Sequence, residues 1–210
     1  NGFFYVIDRA NGKLISAQPY APQNWAERID LASGRPVEKP GIRYADKPYV
    51  LYPSGIGAHA WMPMSYSPKT GLVYIPMMMV PLALGDDTDY TRHIGRWNTG
   101  VSFLAPPAGA CPGDTPTERR AALTAIVRGA HVACYSVRQK AVWSIEKNWP
   151  WNGGTLATGG NLVFQGDPYG WFHAYAADKR QPGKRQGLIV RLEESQGNRI
   201  VALVPERMEL

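Results

Sequence analysis

Four histidines, His59, His93, His131 and His173, are the side chains of this sequence best suited to bind a metal or move a proton near neutral pH. They are scattered, and none stands at metal-ligand spacing from another. Each reads first as a hydrogen-bonded structural residue. Asp86, Asp87 and Asp89 crowd one short segment, but no EF-hand spacing follows them, so they read as an exposed acidic loop. There are two cysteines, Cys111 and Cys134, too few for a disulfide framework. A single bridge and two free thiols are both open readings. No Cys-x-x-Cys-His occurs, so no c-type haem is expected on these residues.

The elements that must carry any site read as mostly β. The chain has 210 residues, 44% hydrophobic and 19% charged, which suits a folded domain with a real core. Seven Trp, 11 Tyr, 22 Gly and 18 Pro suit short strands joined by many turns. Phe3 to Asp8 and Leu14 to Ala17 flank Asn11-Gly12, a strong hairpin signal. The chain opens abruptly on this strand, so a segment of something longer is expected. Residues 18–48 are rich in Pro, Gly and charge and are expected to form a long excursion with little regular structure. Leu72 to Met77 reads as a strand entered through the turn Ser67-Pro68-Lys69-Thr70-Gly71, and residues 85–114 as a loop-like insertion.

One helix is predicted after Thr115, which serves as N-cap, with Pro116 at the first helical position and Glu118 completing a capping box. Leu123, Ile126 and Val127 share a face, and Gly129 is expected to end it. Strands follow at Val132–Tyr135, Val142–Glu146, Leu156–Thr158, Asn161–Gln165 and Trp171–Ala176. Gly2–Asp8 lines up with Gly170–Ala176, and Ala133–Trp143 is a third strand–turn–strand unit. At roughly 40–50 residues per four-stranded blade, such a repeat reads as about four blades of a β-propeller. A β-sandwich is the alternative reading of the pattern.

The net charge of +6 is spread along the chain except for Lys179, Arg180, Lys184 and Arg185. No aromatic residues interleave with that cluster, so a solvated tail is preferred to a nucleic-acid surface. The most apolar run, Val73 to Leu84, is broken by Pro76 and Pro81, and no transmembrane segment or signal peptide is read.

Several long words, in register from residue 1 to about residue 178, resemble the C-terminal half of the propeller of the pyrroloquinoline quinone (PQQ)-dependent alcohol dehydrogenases. They include Gly2–Ala17, Asn24-Trp25, Gly34–Val37, Gly57–His59, Trp61, Pro63–Ser65, Ser67–Pro76 and, most specifically, Pro150–Gly166. The resemblance implies an all-β fold, part of an eight-bladed propeller of four-stranded antiparallel sheets, with one short helix in an insertion. It divides the chain into residues 1–178, propeller, and residues 179–210, a divergent basic tail. In that tail Leu188 to Leu192 and Ile200 to Val204 still carry strand patterns.

The family stitches its blades with a motif of Ala, Asp, Thr-Gly and a closing Trp. Ala133 to Trp143 resembles one copy, with Tyr135 in place of Asp. The first copy has Asp8 and Gly12 but Ser16 at the Trp position, and a copy after Ala174 would put Lys184 there. The resemblance also implies a periplasmic enzyme that oxidises alcohols to aldehydes. It would pass two electrons to PQQ and then to a cytochrome c or haem domain, with Ca²⁺ beside the quinone and an Asp as base.

By the same resemblance, Trp61, Trp151 and Asn152 are the candidate cofactor-binding residues. An indole can donate one hydrogen bond and pack on a planar ring. Trp61 and Trp151 read equally well as blade-packing aromatics, and for Trp143 packing is the preferred reading. The family's His-Asn-Trp step is His59-Ala60-Trp61 here, and Ala60 cannot make the hydrogen bond of an Asn. The Ca²⁺ ligands, the catalytic Asp, the cysteine pair and the quinone-binding Arg of the family fall upstream of Asn1. No catalytic or metal-binding residue is therefore assigned in this chain, no haem ligand either, and the isolated chain is expected to be inactive. A non-catalytic propeller remnant serving as a binding or assembly module is the rival reading.

Overall fold

The computed structural model describes residues 1–125, 127–134, 141–178, 189–195 and 199–206. The chain divides into two compact units, Asn1–Ala58 with Met79–Val127, and His59–Met78 with Arg128–Leu210.

In the first unit β1 (Phe3–Ile7) and β2 (Leu14–Pro19) form the expected hairpin. Asp8 organises its turn: Oδ1 accepts from the Ala10 amide, Oδ2 from the Asn11 side chain, and the Asp8 carbonyl from the Gly12 amide. Gly12 takes the left-handed φ of 74° that this turn requires. Residues 18–48, expected to be irregular, contain a second hairpin, β3 (Ala26–Ile29) and β4 (Pro36–Glu38). Its turn repeats the first, with Asp30 accepting from Ser33 and Gly34 and with Gly34 at φ 71°. Phe3, Ala17, Ala26 and Ile29 form a buried cluster joining the two hairpins, with Phe3 edge-on to Trp25.

A three-stranded sheet, β5 (Tyr49–Leu51), β8 (Leu82–Asp86) and β9 (Val101–Phe103), and one helix complete this unit. Strand β9 lies inside the segment expected to be a loop. The helix, α1 (Pro116–Ala125), starts on the predicted box: Thr115 Oγ1 accepts from the Glu118 amide, and the Glu118 carboxylate accepts from the Thr115 and Asp114 amides. Those bonds hold the Glu118 carboxyl below the usual carboxylate range, the Thr115 amide contributing most. Leu123 is buried as expected, while Ile126 lies outside the described residues. The helix does not reach Gly129, which belongs to the next strand. Cys111 carries a half-buried free thiol, and the side chains of Cys134 and His131 lie outside the description.

The second unit contains two antiparallel sheets. One has the order β11 (Ala141–Lys147), β10 (Arg128–Cys134), β7 (Leu72–Met79), β6 (Ser65–Ser67), the four strands of a propeller blade. The β6–β7 turn, Ser67 to Gly71, is a third copy of the Gly-closed turn, with Gly71 at φ 68°. Pro76, buried within β7, lies past the end of the β6 ladder, which covers only Leu72–Tyr74. Residues 135–140, between β10 and β11 and including Tyr135, lie outside the described residues.

The other sheet runs β12 (Thr155–Ala157), β13 (Leu162–Gly166), β14 (Trp171–Ala176), β15 (Ile189–Ser195), β16 (Arg199–Glu206). The two patterned stretches of the tail thus extend the sheet of β14. The basic cluster Lys179–Arg185 lies outside the described residues, as does Lys184 at the expected Trp position. Among the described residues the five sheets have two, two, three, four and five strands, against the uniform four expected of complete blades.

Leu72, Tyr74, Trp143, Val163, Tyr175 and Ala177 form the core between the two sheets of this unit. Across the sheets it is β6 and β12, the first strand of each, that come closest. The sheets therefore meet at their first strands, as neighbouring blades do towards the propeller axis. Trp143 packs between the two sheets. Its ring lies 5.9 Å from Tyr74 and 6.4 Å from Tyr175, and its Nε1 donates to the Ala177 carbonyl at 3.4 Å. The same carbonyl accepts from Tyr74 Oη at 2.9 Å. Burial drives the Tyr74 phenol above its usual range. In the first hairpin Ser16 stands where such a Trp would be, and its hydroxyl is buried without a partner.

Candidate functional site

Two loops lead into the touching strands β6 and β12, and each brings one candidate aromatic residue. His59 anchors the first loop. Its Nδ1 lies 2.9 Å from the Pro76 carbonyl, and because a carbonyl only accepts, Nδ1 carries the proton. His59 is therefore a structural residue that ties the start of the loop to β7.

The loops are locked to each other at Thr155. Its amide donates to the Pro63 carbonyl at 2.9 Å, and its hydroxyl donates to the Tyr74 carbonyl and accepts from Ser65 Oγ, each at 3.0 Å. The glycine pair of Trp151-Asn152-Gly153-Gly154 then has a steric cause. A Cβ on Gly154 would lie 2.4 Å from the Pro63 ring, and one on Gly153 would lie 2.9 Å from the Gly166 carbonyl oxygen. Only a residue without a side chain lets the second loop pass that close to the first.

With the loops so fixed, Trp61 and Trp151, 90 positions apart in sequence, stack with ring centroids 5.0 Å apart and planes inclined by 11°. Trp151 is half-buried, while Trp61 is 73% exposed. One face of Trp61 is covered by Trp151, and the rest of the ring is open. That is a platform for a flat aromatic or heterocyclic ligand. Asn152, the third predicted site residue, is buried beside the pair, with its Nδ2 donating to the Trp149 carbonyl and its backbone amide to Pro150. Its amide nitrogen is thus engaged in shaping the loop. Ala60 is half-buried between His59 and Trp61 and offers no polar side-chain atom.

Two further polar features of this unit escaped the sequence reading. Gln165 is 1% exposed, and its Nε2 donates to the Gly153 carbonyl at 2.6 Å. The signal was present, since alternation along Leu162–Gly166 puts Gln165 on the same face as Val163, a polar residue at a core position. Asp167 Oδ2 pairs with His173 Nε2 at 2.7 Å, the two side chains being 9% and 14% exposed. Burial pushes the Asp167 carboxyl up, but the His173 bond and the amides of Trp171 and Tyr169 outweigh it and leave the group below the usual range. Among the described residues no group of three or more His, Cys, Asp or Glu is placed to hold a metal ion. No helix among them is long and apolar enough to cross a membrane.

No protein-family model matches the chain. Individual proteins do. The chain is 49% identical over 180 residues to quinohemoprotein alcohol dehydrogenase ADH IIB of Pseudomonas putida, covering 85% of this chain and 24% of that protein. It superposes on the crystal structure of quinohemoprotein alcohol dehydrogenase from Comamonas testosteroni with a TM-score of 0.71 and 41% identity, covering 85% of this chain and 26% of that one. Its homologues include quinohemoprotein alcohol dehydrogenases. The match is to a C-terminal portion of that family, and the sheets are accordingly part of a β-propeller. A 1-butanol dehydrogenase (cytochrome c) from Thauera butanivorans is 38% identical over 175 residues, covering 79% of this chain and 23% of that protein. The chain spans about a quarter of the length of the curated relatives it matches.

Proposed function

We propose that this chain is a portion of a PQQ-dependent alcohol dehydrogenase and supplies one wall of its quinone site. The Trp61–Trp151 stack at the entrance to the adjoining strands β6 and β12 carries this reading. The residues fit the group. A planar quinone can lie on the open part of Trp61, Trp151 backs that ring from behind, and Asn152 holds the second loop in shape. When bound, the quinone supplies the two-electron oxidant for an alcohol. The part of this chain is to orient the quinone and exclude water from one of its faces.

Among the described residues no group of three or more His, Cys, Asp or Glu is placed to hold a metal ion, and no step is assigned through Ca²⁺ or haem. The base and the metal ligands of the family fall outside this sequence by the resemblance. In this reading the whole protein oxidises alcohols to aldehydes in the periplasm and passes electrons to a cytochrome c. Support comes from relatives whose names specify quinone and haem, and one that specifies cytochrome c.

The test is a thermal melt of the chain with added PQQ. A ligand that binds only the native state at about 100 times its Kd adds about 2.7 kcal/mol of stability. For a chain of this size that is roughly 5–11 °C. A melting temperature unmoved at about 100 μM quinone, where even a Kd of about 10 μM would add about 1.4 kcal/mol, favours the rival module that binds no quinone. Alcohol-dependent dye reduction is expected only when the upstream part of the propeller accompanies the chain.

A further inference from the structure

The geometry points to Gln165 as a positioning residue for the Trp151 face of the site. Gly153 is clamped to the end of β13 from both sides. Its amide donates to the Gly166 carbonyl at 3.0 Å, and its carbonyl accepts from Gln165 Nε2 at 2.6 Å. Trp151 lies two residues upstream. The intervening turn is closed by Asn152 on Trp149 and Pro150, and among the described residues no further hydrogen bond ties it to the sheet. The plane of Trp151 is therefore set at one end by Asn152 and at the other by the Gln165 clamp.

The amide is retained there at a cost. Gln165 Oε1 is buried without a partner, and an unpaired buried acceptor forfeits its hydration. The orientation is forced, since turning Oε1 towards Gly153 would set two acceptors face to face. A leucine at this position would delete the orphaned Oε1 and orphan the Gly153 carbonyl instead, exchanging one unpaired acceptor for another. Global stability thus gives little reason for a glutamine here. Holding the loop that presents Trp151 does.

The signature of correct positioning is the exciton couplet that two stacked indoles give in far-ultraviolet circular dichroism. It is isolated as the difference between the full chain and its Trp61→Phe variant. In Gln165→Leu the couplet is expected to fall below half, with PQQ binding weakened about tenfold and the melting temperature shifted by only a few degrees. An undiminished couplet in a folded Gln165→Leu protein overturns the assignment. Should that variant fail to fold, Gln165→Glu decides. A protonated carboxyl can donate to the Gly153 carbonyl and a carboxylate cannot. Its couplet is expected at low pH and lost as pH rises, while that of the parent chain stays flat. A couplet in Gln165→Glu that ignores pH also overturns it. The effect on binding rests on the quinone reading above, but the couplet does not. A chain that shows the couplet dependence yet binds no PQQ refutes the quinone reading and leaves the positioning role intact.

Discussion

Replacing Trp143 separates the packing role of an indole from its hydrogen-bonding role at the contact between the two sheets of the second unit. The ring is 5% exposed and lies among Tyr74, Tyr175 and Ala177. Truncation to Ala removes a buried aromatic side chain and leaves a cavity, which costs about 3–5 kcal/mol. Trp143→Phe keeps most of the apolar area and loses a bond that is already long at 3.4 Å. The Ala177 carbonyl retains its 2.9 Å bond from Tyr74, so no acceptor is orphaned. That loss is about 1–2 kcal/mol, a weak hydrogen bond plus a small change in packing. Trp61→Ala sacrifices a ring that is 73% exposed, and its cost should stay below about 1.5 kcal/mol, the upper value for an aromatic pair. Urea unfolding followed by circular dichroism should rank the variants Trp143→Ala, then Trp143→Phe, then Trp61→Ala at or below it. At about 2–4 °C per kcal/mol for a chain of this size, the first should melt roughly 6–20 °C lower and the second roughly 2–8 °C. A Trp143→Phe variant as unstable as Trp143→Ala would refute the reasoning, because the hydrogen bond and not the ring would then be joining the sheets.

Gly154→Ala drives a methyl group to within 2.4 Å of the Pro63 ring, so one loop must shift. A loss of about 1–3 kcal/mol in urea unfolding is expected, together with a weakened Trp61–Trp151 couplet. Thr115→Ala removes the N-cap and should destabilise α1 by about 0.5–2 kcal/mol, read as lost helical circular dichroism on heating. Glu118 has its carboxyl held low by the capping bonds. Its contribution is therefore present above the ordinary glutamate range and lost as pH falls through the depressed value, and Glu118→Gln should flatten that acid limb. Asp167 behaves with the same sign, because its folded value also lies below the ordinary one. Acid unfolding of the second unit should steepen below about pH 4, where a free Asp takes up its proton, and Asp167→Asn should remove that part of the slope.

Local chemistry made some elements legible and left others hidden. The first hairpin and the capping box were readable because a turn glycine or a Thr–Glu pair acts within a few residues. The hairpin of β3 and β4 was missed because its strands are only four and three residues long and carry Glu and Arg. Yet Asp30 to Gly34 copies the spacing of Asp8 to Gly12, and that repeat was the available signal. The helix ends before Gly129 because the sheet claims Arg128–Cys134 as its third strand from β6, a tertiary demand that no local signal reports. At the site, the individual residues were visible through resemblance. The stacking of Trp61 on Trp151 was not, since it depends on loops from two sheets meeting at Pro63 and Gly154. Nor was the orientation of Asn152, whose side-chain amide is drawn to the Trp149 carbonyl by a loop geometry that no local pattern reports.

A crystal structure of the chain with PQQ bound tests the central reading most directly. The quinone plane is expected to lie parallel to the open part of the Trp61 ring, within about 3.5–4 Å of it, with Trp151 behind. Quinone density in the cleft lined by Lys69, Asn161 and Asp178, or anywhere away from Trp61, would contradict it.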